Sequence, residues 1–371
     1  MQNKVDEFLQ STEKKEGLLK EFFSFFKNLE PNKLRKKPFY IKLLNVLRIV
    51  LLVIPLASII GILQNLFYTS VGIQVAENSV LTEYLAKDMV LFLLIFSSIW
   101  APVSEEIAFR LWLKPSPYRI SIGLSMFTYF LSSTSINNEQ FTLLDPIIEQ
   151  MGSDYQIFSI ILLPLIFLLC GVVIGSLVKI ISIIVSNNKN SKIQINIHDN
   201  DNSEIVENST DNIENSKDKL KKQKSYYLIS IIVSSLFFGF IHIANFNQLE
   251  TLLPFILIIT LPQIILGFVL AFIRLNYGFI YSVVTHLLYN FILVFPVFIL
   301  YTFFSEEYIN AINTGDYTNY EELILSDSLV LLFIALVSII LIILYIISIV
   351  QMLIEYFHYK KVNKNAYKST K

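Results

Sequence analysis

The chain has 371 residues, 54% of them hydrophobic, 14% aromatic and only 16% charged, with a formal net charge of −1. That balance belongs to a polytopic membrane protein rather than a soluble enzyme, and a charge so near zero implies no nucleic-acid partner. A single cysteine, Cys170, rules out an internal disulfide and a cysteine-rich metal site.

In chain order, Met1 to Pro38 is polar and lysine-rich. The apolar run after it is too long for a signal core, so the first span is expected to act as its own insertion signal. Within residues 5–30, Leu18, Phe22, Phe26 and Leu29 fall on one helical stripe among lysines, and Pro31 ends the pattern. The stripe predicts either a helix lying in the membrane surface or a cytosolic helix packed on the domain.

Eight apolar runs follow, each set against the roughly 20 residues that a helix needs to cross a bilayer. They are Leu43 to Phe67, Met89 to Leu113, Tyr118 to Ser135, Phe158 to Val185, Tyr226 to Ile243, Leu252 to Ile273, Phe279 to Phe303 and Ser328 to Ile354. The third is the weakest, because its apolar part, Ile120 to Leu131, is short and its end polar. Between the fourth and fifth runs, Asn187 to Lys224 holds scarcely a large apolar side chain and reads as a disordered loop; His198 within it reads as solvated. No internal repeat and no phosphate-binding glycine loop is found.

Lysine and arginine accumulate on the cytoplasmic side of membrane proteins. Here they flank both ends of the chain, Lys33 to Lys42 and Lys360 to Lys371, and recur at Lys114, Arg119, Lys217 to Lys224 and Arg274. The connections around Glu77, Glu139, Glu250 and Glu306 hold only Lys87. Both termini are therefore expected in the cytoplasm, which requires an even number of spans and argues for keeping the third. The expected fold class is all-α, a polytopic membrane protein of about eight transmembrane helices around a polar intramembrane cavity.

The second run contains Ser104-Glu105-Glu106-Ile107-Ala108-Phe109-Arg110. A charge at bilayer depth costs roughly 2.5–3.5 kcal/mol on insertion scales, so three together call for a purpose. Glu106 and Arg110 stand four apart in acid-before-base order and are expected to pair. Glu105 points about 100° away around the helix and has no partner in its own segment. Two of the four histidines lie in spans: Phe238 precedes His242 by one helical turn, and Asn290 follows His286 by one. A carboxylate, two imidazoles and an amide can activate a water and hold a tetrahedral oxyanion. Glu105, His242 and His286 could alternatively bind zinc, leaving a position open for water. At 1.5 Å per residue, Glu105 lies roughly 14 Å from Lys114 and His286 a similar distance from Tyr277, but His242 lies about 26 Å from Ser225. That agrees only if its helix starts well outside the membrane or is strongly tilted.

These motifs resemble those of the CPBP family of intramembrane proteases, which includes type II CAAX prenyl proteases and bacterial abortive-infection and bacteriocin self-immunity proteins. Two glutamates and an arginine look like Glu105, Glu106 and Arg110; phenylalanine and histidine like Phe238 and His242; histidine and asparagine like His286 and Asn290. The resemblance implies that Glu105 with His242 activates water, that His286 and Asn290 hold the oxyanion, and that Glu106 and Arg110 support the site. Family members have been described both as metalloproteases and as glutamate-dependent proteases without an essential metal, so no cofactor is certain and zinc stays open. Leu111 stands where the family often has glycine. The family usually joins its first two motifs by a short turn, whereas here a hairpin and a polar loop intervene.

The expected organisation is then an interfacial or cytosolic amphipathic region at 1–40 and a first span with its outer loop at 41–88. A protease core follows at 89–303 with an insertion at about 118–224, and the last outer loop, span and basic cytosolic tail at 304–371. The expected function is hydrolysis of a peptide bond in a prenylated tail, leader or bacteriocin-like peptide. Its partners would be membrane lipids and a membrane-associated peptide or protein. The alternative is a non-catalytic scaffold or bacteriocin-immunity factor using the same cavity. A proton-coupled transporter ranks below both, for want of symmetry between halves.

Overall fold

The computed structural model describes residues 17–31, 36–72, 90–136, 162–197, 208–245, 252–304, 309 and 325–369. Among them every regular element is helical and none is a strand. The helices are α1 (Leu18–Asn28), α2 (Phe39–Ser70), α3 (Val90–Leu113), α4 (Pro117–Ile136), α5 (Leu163–Ile197), α6 (Asn208–Ile241), α7 (Leu253–Ile259), α8 (Leu261–Asn276), α9 (Phe279–Phe303) and α10 (Leu325–Ser369).

Six of the described helices are long and apolar enough to cross a membrane, and α7 with α8 makes a seventh if the bent pair is one span. This is an all-α polytopic membrane protein. The expected third span, α4, forms a helix but is not among them, because its last turns run Ser-Ser-Thr-Ser. The sixth expected span is broken: α7 and α8 meet at 49°. Pro262 has no N–H to give the carbonyl of Ile258, which would open an orphan acceptor in an apolar setting. Gln64 of α2 supplies the donor, its amide reaching the carbonyls of both Ile258 and Ile259.

The polar segment read as a loop is entered by helix from both sides, α5 continuing to Ile197 and α6 starting at Asn208. Asp218 precedes Lys222 by four residues, a spacing that supports helix where little can be buried. Residues 198–207, with His198, lie outside the described residues, as do the expected outer loops at Glu77, Glu139, Glu250 and Glu306. Helix α6 begins well ahead of Ser225, from which the depth of His242 is counted.

The helices divide into two compact units, one from Met1–Ile59 with Leu288–Lys371 and the other Ile60–Leu287. In the first, α1 packs against α10, with Gly17 lying against Glu355. The face buried is Leu18, Glu21 and Phe25, offset from the expected stripe; Phe22 and Phe26 are half-buried. Glu21 turns inward because Lys37 pairs with it. Leu29 ends the helix with φ 50°, and residues 1–16 lie outside the described residues. Arg48 ties α2 to α10 through Glu355 at 3.0 Å and Gln351 at 2.7 Å.

The second unit holds the paired charges. Its α4 and α5 cross so closely that a Cβ on Gly171 would stand 2.6 Å from Ile122 Cα, and one on Gly175 2.8 Å from Tyr118 Cα. Small residues one turn apart are what let two membrane helices touch backbone to backbone. Likewise α6 meets α8 at Gly267, whose Cβ would lie 2.9 Å from Ser235 Cα. Phe109 of α3 joins the layers, its ring packed on Phe127 and Phe130 of α4 and Phe238 of α6.

Candidate active site

The acidic motif lies in the last turns of α3. Pro102 cannot donate to the carbonyl of Ser98, and α3 absorbs this with a π-helical turn over Phe96–Trp100, where Ala101 donates to Phe96 instead. Regular helix then resumes over Ala101–Arg110 and carries both glutamates.

The C-terminal end of α3 would leave its final carbonyls without partners. Here five in succession are met by side chains. Trp112 Nε1 reaches the carbonyl of Ala108 at 3.1 Å, and Ser234 donates to that of Phe109. Arg274 Nε reaches that of Arg110 at 3.0 Å and its Nη2 that of Leu111 at 3.4 Å, while Tyr226 donates to that of Trp112 at 2.9 Å. Four of these five bonds come from α6 and α8, so the rotation and height of the glutamates are set by neighbouring helices. Leu111 is accommodated in a 3-10 turn rather than needing glycine.

Glu106 and Arg110 are both fully buried. Arg110 Nε stands 3.7 Å from Glu106 Oε1, so the expected pair forms, but it is not the closest contact of that carboxylate. Ser282 of α9 donates to Oε2 at 2.5 Å, and His286 Nδ1 faces Oε1 at 3.2 Å. The guanidinium instead sits over Phe238, its Cζ 4.0 Å from the ring centre, with none of its nitrogens hydrogen-bonded. An arginine held by an aromatic face and a near carboxylate is neutralised without being exposed.

Glu105 keeps 12% of its side-chain exposure and is the reachable carboxylate of the two. Its Oε2 lies 3.5 Å from His286 Nε2, in ion-pair range but without a hydrogen bond. His286 Nδ1 faces an acceptor and so carries a proton, which turns Nε2 toward Glu105. His242 sits where α6 ends, half-buried, with Nδ1 2.7 Å from the carbonyl of Phe238. Its proton is therefore on Nδ1 and its Nε2 is an acceptor. Phe238 is fully buried between the two imidazoles, 4.9 Å from the ring of His242 and 5.5 Å from that of His286.

The structure thus brings together Glu105, Glu106, Arg110, Phe238, His242 and His286. Asn290, half-buried one turn beyond His286 on α9, belongs to the other unit. Sequence reasoning missed Ser282, Arg274, Ser234 and Tyr226. Ser282 precedes His286 by four residues, on the stripe that His286 and Asn290 continue, and that spacing was a usable signal. Among the described residues no group of three or more His, Cys, Asp and Glu is placed to hold a metal ion.

The model of the type II CAAX prenyl endopeptidase Rce1-like family matches residues 212–292, the stretch that carries His242, His286 and Asn290. Over that stretch the chain is similar to this family. The match thus covers the second and third motifs, while the acidic motif lies ahead of it and is joined to them by the contacts above. Neither a curated protein nor a solved structure matches the chain.

Proposed function

We propose that this protein is an intramembrane endopeptidase that hydrolyses a peptide bond of a membrane-associated substrate, a CAAX-type prenylated tail or a leader or bacteriocin-like peptide. The observation that carries the reading is the meeting of Glu105 with two histidines whose proton positions are fixed by different partners. Glu105 Oε2 lies 3.5 Å from His286 Nε2, and the ring of Phe238 packs against both imidazoles. His242 offers the Nε2 lone pair that a general base needs, while Glu105 can orient the water and share its proton.

In this reading the water oxygen attacks the scissile carbonyl carbon as its proton passes to the Glu105–His242 pair. With its Nδ1 proton directed to Glu106, His286 holds the oxyanion through Nε2 once that nitrogen takes up the water's proton from Glu105, 3.5 Å away, and Asn290 is the second proposed donor. Collapse of the intermediate breaks the C–N bond, and the stored proton leaves with the amine. Glu106 and Arg110 touch no reacting atom; they hold His286 and Phe238 in place. The broken α7–α8 segment and the α4–α5 hairpin contribute none of these groups.

The test is cleavage of a farnesylated reporter peptide by purified protein in lipid vesicles, with membrane proteomics of cells for the natural substrate. Glu105→Gln should abolish cleavage and leave thermal unfolding unchanged, and one fragment should disappear from the variant's membranes. Undiminished cleavage by Glu105→Gln rejects the reading. A Glu105→Gln protein that fully replaces the wild type in cells, with no fragment lost, would favour the scaffold instead.

A further inference from the structure

Ser282 is completely buried, stands on the first turns of α9 and belongs to none of the three motifs. Its position follows from the turn before it. Tyr277 and Gly278 both donate to the carbonyl of Ile273, closing α8, and Gly278 takes φ +122°, a value that a side chain rarely permits. The chain reverses within this turn, so the opening of α9 lies against the end of α8 and Ser282 comes to 3.0 Å from the carbonyl of Leu270.

The hydroxyl has one proton and two acceptors in range. Leu270 lies within the α8 ladder, where its carbonyl is already engaged, whereas Glu106 Oε2 is closer and charged. The proton goes to the carboxylate, because bonds to an ionised acceptor are about twice as strong. Glu106 is then held by both oxygens, Oε2 by Ser282 and Oε1 by His286 Nδ1 at 3.2 Å. Without the first contact the carboxylate could rotate, and either oxygen could turn toward Arg110, whose Nε is 3.7 Å away.

We propose that Ser282 is a positioning residue that acts through Glu106 to fix the tautomer and direction of His286. Its hydroxyl holds Glu106, Glu106 keeps the proton of His286 on Nδ1, and Nε2 is thereby aimed at Glu105, 3.5 Å away. The catalytic consequence rests on the protease reading above; the effect on the imidazole does not.

The experiment combines two readouts on purified full-length protein in vesicles. The first is the imidazole nitrogen NMR signature of His286, assigned by its loss in His286→Asn. The second is cleavage of a farnesylated reporter peptide. Wild type should show His286 protonated on Nδ1, and Ser282→Ala should give a mixture of the two tautomers. Its kcat should fall roughly 10- to 100-fold, the size of one hydrogen bond to a charged group, with KM little changed. Ser282→Thr, which keeps the hydroxyl, should restore the wild-type signature; Ser282→Cys, nearer in volume, serves where the added methyl prevents folding and should restore it in part. An unaltered His286 signature in folded Ser282→Ala overturns the inference whatever the activity. If the signature shifts as expected while wild type cleaves no peptide, the positioning role stands and the protease reading fails.

Discussion

His242 holds its Nδ1 2.7 Å from the carbonyl oxygen of Phe238, one helical turn earlier in the same helix. The backbone thereby decides which ring nitrogen can act as a base. An asparagine at this position keeps an N–H for that carbonyl and has no basic nitrogen. His242→Asn should therefore lower kcat by roughly 100- to 10,000-fold, the usual worth of a general base, with unfolding unchanged. Peptide cleavage in vesicles is the measurement; a loss below tenfold would remove His242 from the chemistry.

Arg110 is the largest fully buried side chain among the described residues and lies between Glu106 and the face of Phe238. Removing one partner of a buried ion pair strands the other, at a cost of about 3–5 kcal/mol. Arg110→Met should destabilise the protein by that order, read as a lowered thermal midpoint. Arg110→Lys should recover only part, since an ammonium lacks the guanidinium's planar, delocalised charge. A midpoint equal to that of wild type for Arg110→Met would show that the pair contributes nothing net.

Arg274 would be expected in the cytoplasm from its charge alone, yet it is 6% exposed and caps two carbonyls of α3. Arg274→Gln should cost about 1–3 kcal/mol for the carbonyls left unmet, and should lower kcat because α3 carries Glu105. Arg274→Lys separates the roles. It keeps the charge and loses the planar fork, so a full rescue by lysine would mean that charge, not capping, is what matters.

The crossing of α4 and α5 depends on Gly171. Gly171→Val would press side-chain atoms into the backbone at Ile122 and should destabilise the hairpin by about 1–3 kcal/mol. No site residue lies on either helix, so the folded fraction should still cleave peptide with an unaltered KM. A changed KM, measured against peptides of different length, would instead make the hairpin part of the substrate path.

Membrane orientation can be read directly, because Cys170 is the one native cysteine. In a Cys170→Ser background, Asn28→Cys and Ser369→Cys should react with an impermeant maleimide only after the membrane is opened, as expected if both ends face the cytoplasm. Labelling of either in intact cells would reverse the assignment for that end.

Much of this protein was legible before any coordinates. Apolar runs long enough to span a bilayer demand helix, since no other backbone state satisfies its own polar groups there. Charges inside such runs stand out because they are costly, and helical spacing alone placed Arg110 on the face of Glu106, Phe238 on that of His242 and Asn290 on that of His286. Contacts between helices were not legible in the same way. That Ser282 rather than Arg110 is the closest partner of Glu106, that the carbonyls after Ala108 are capped from α6 and α8, and that Gln64 bridges the break before Pro262 all join residues remote in sequence. Each depends on which face one helix turns to another, and that is decided by packing at places such as Gly171 and Gly267, where backbones can touch only because side chains are absent. Periodicity along a chain states what lies on a face; only tertiary structure states what that face meets.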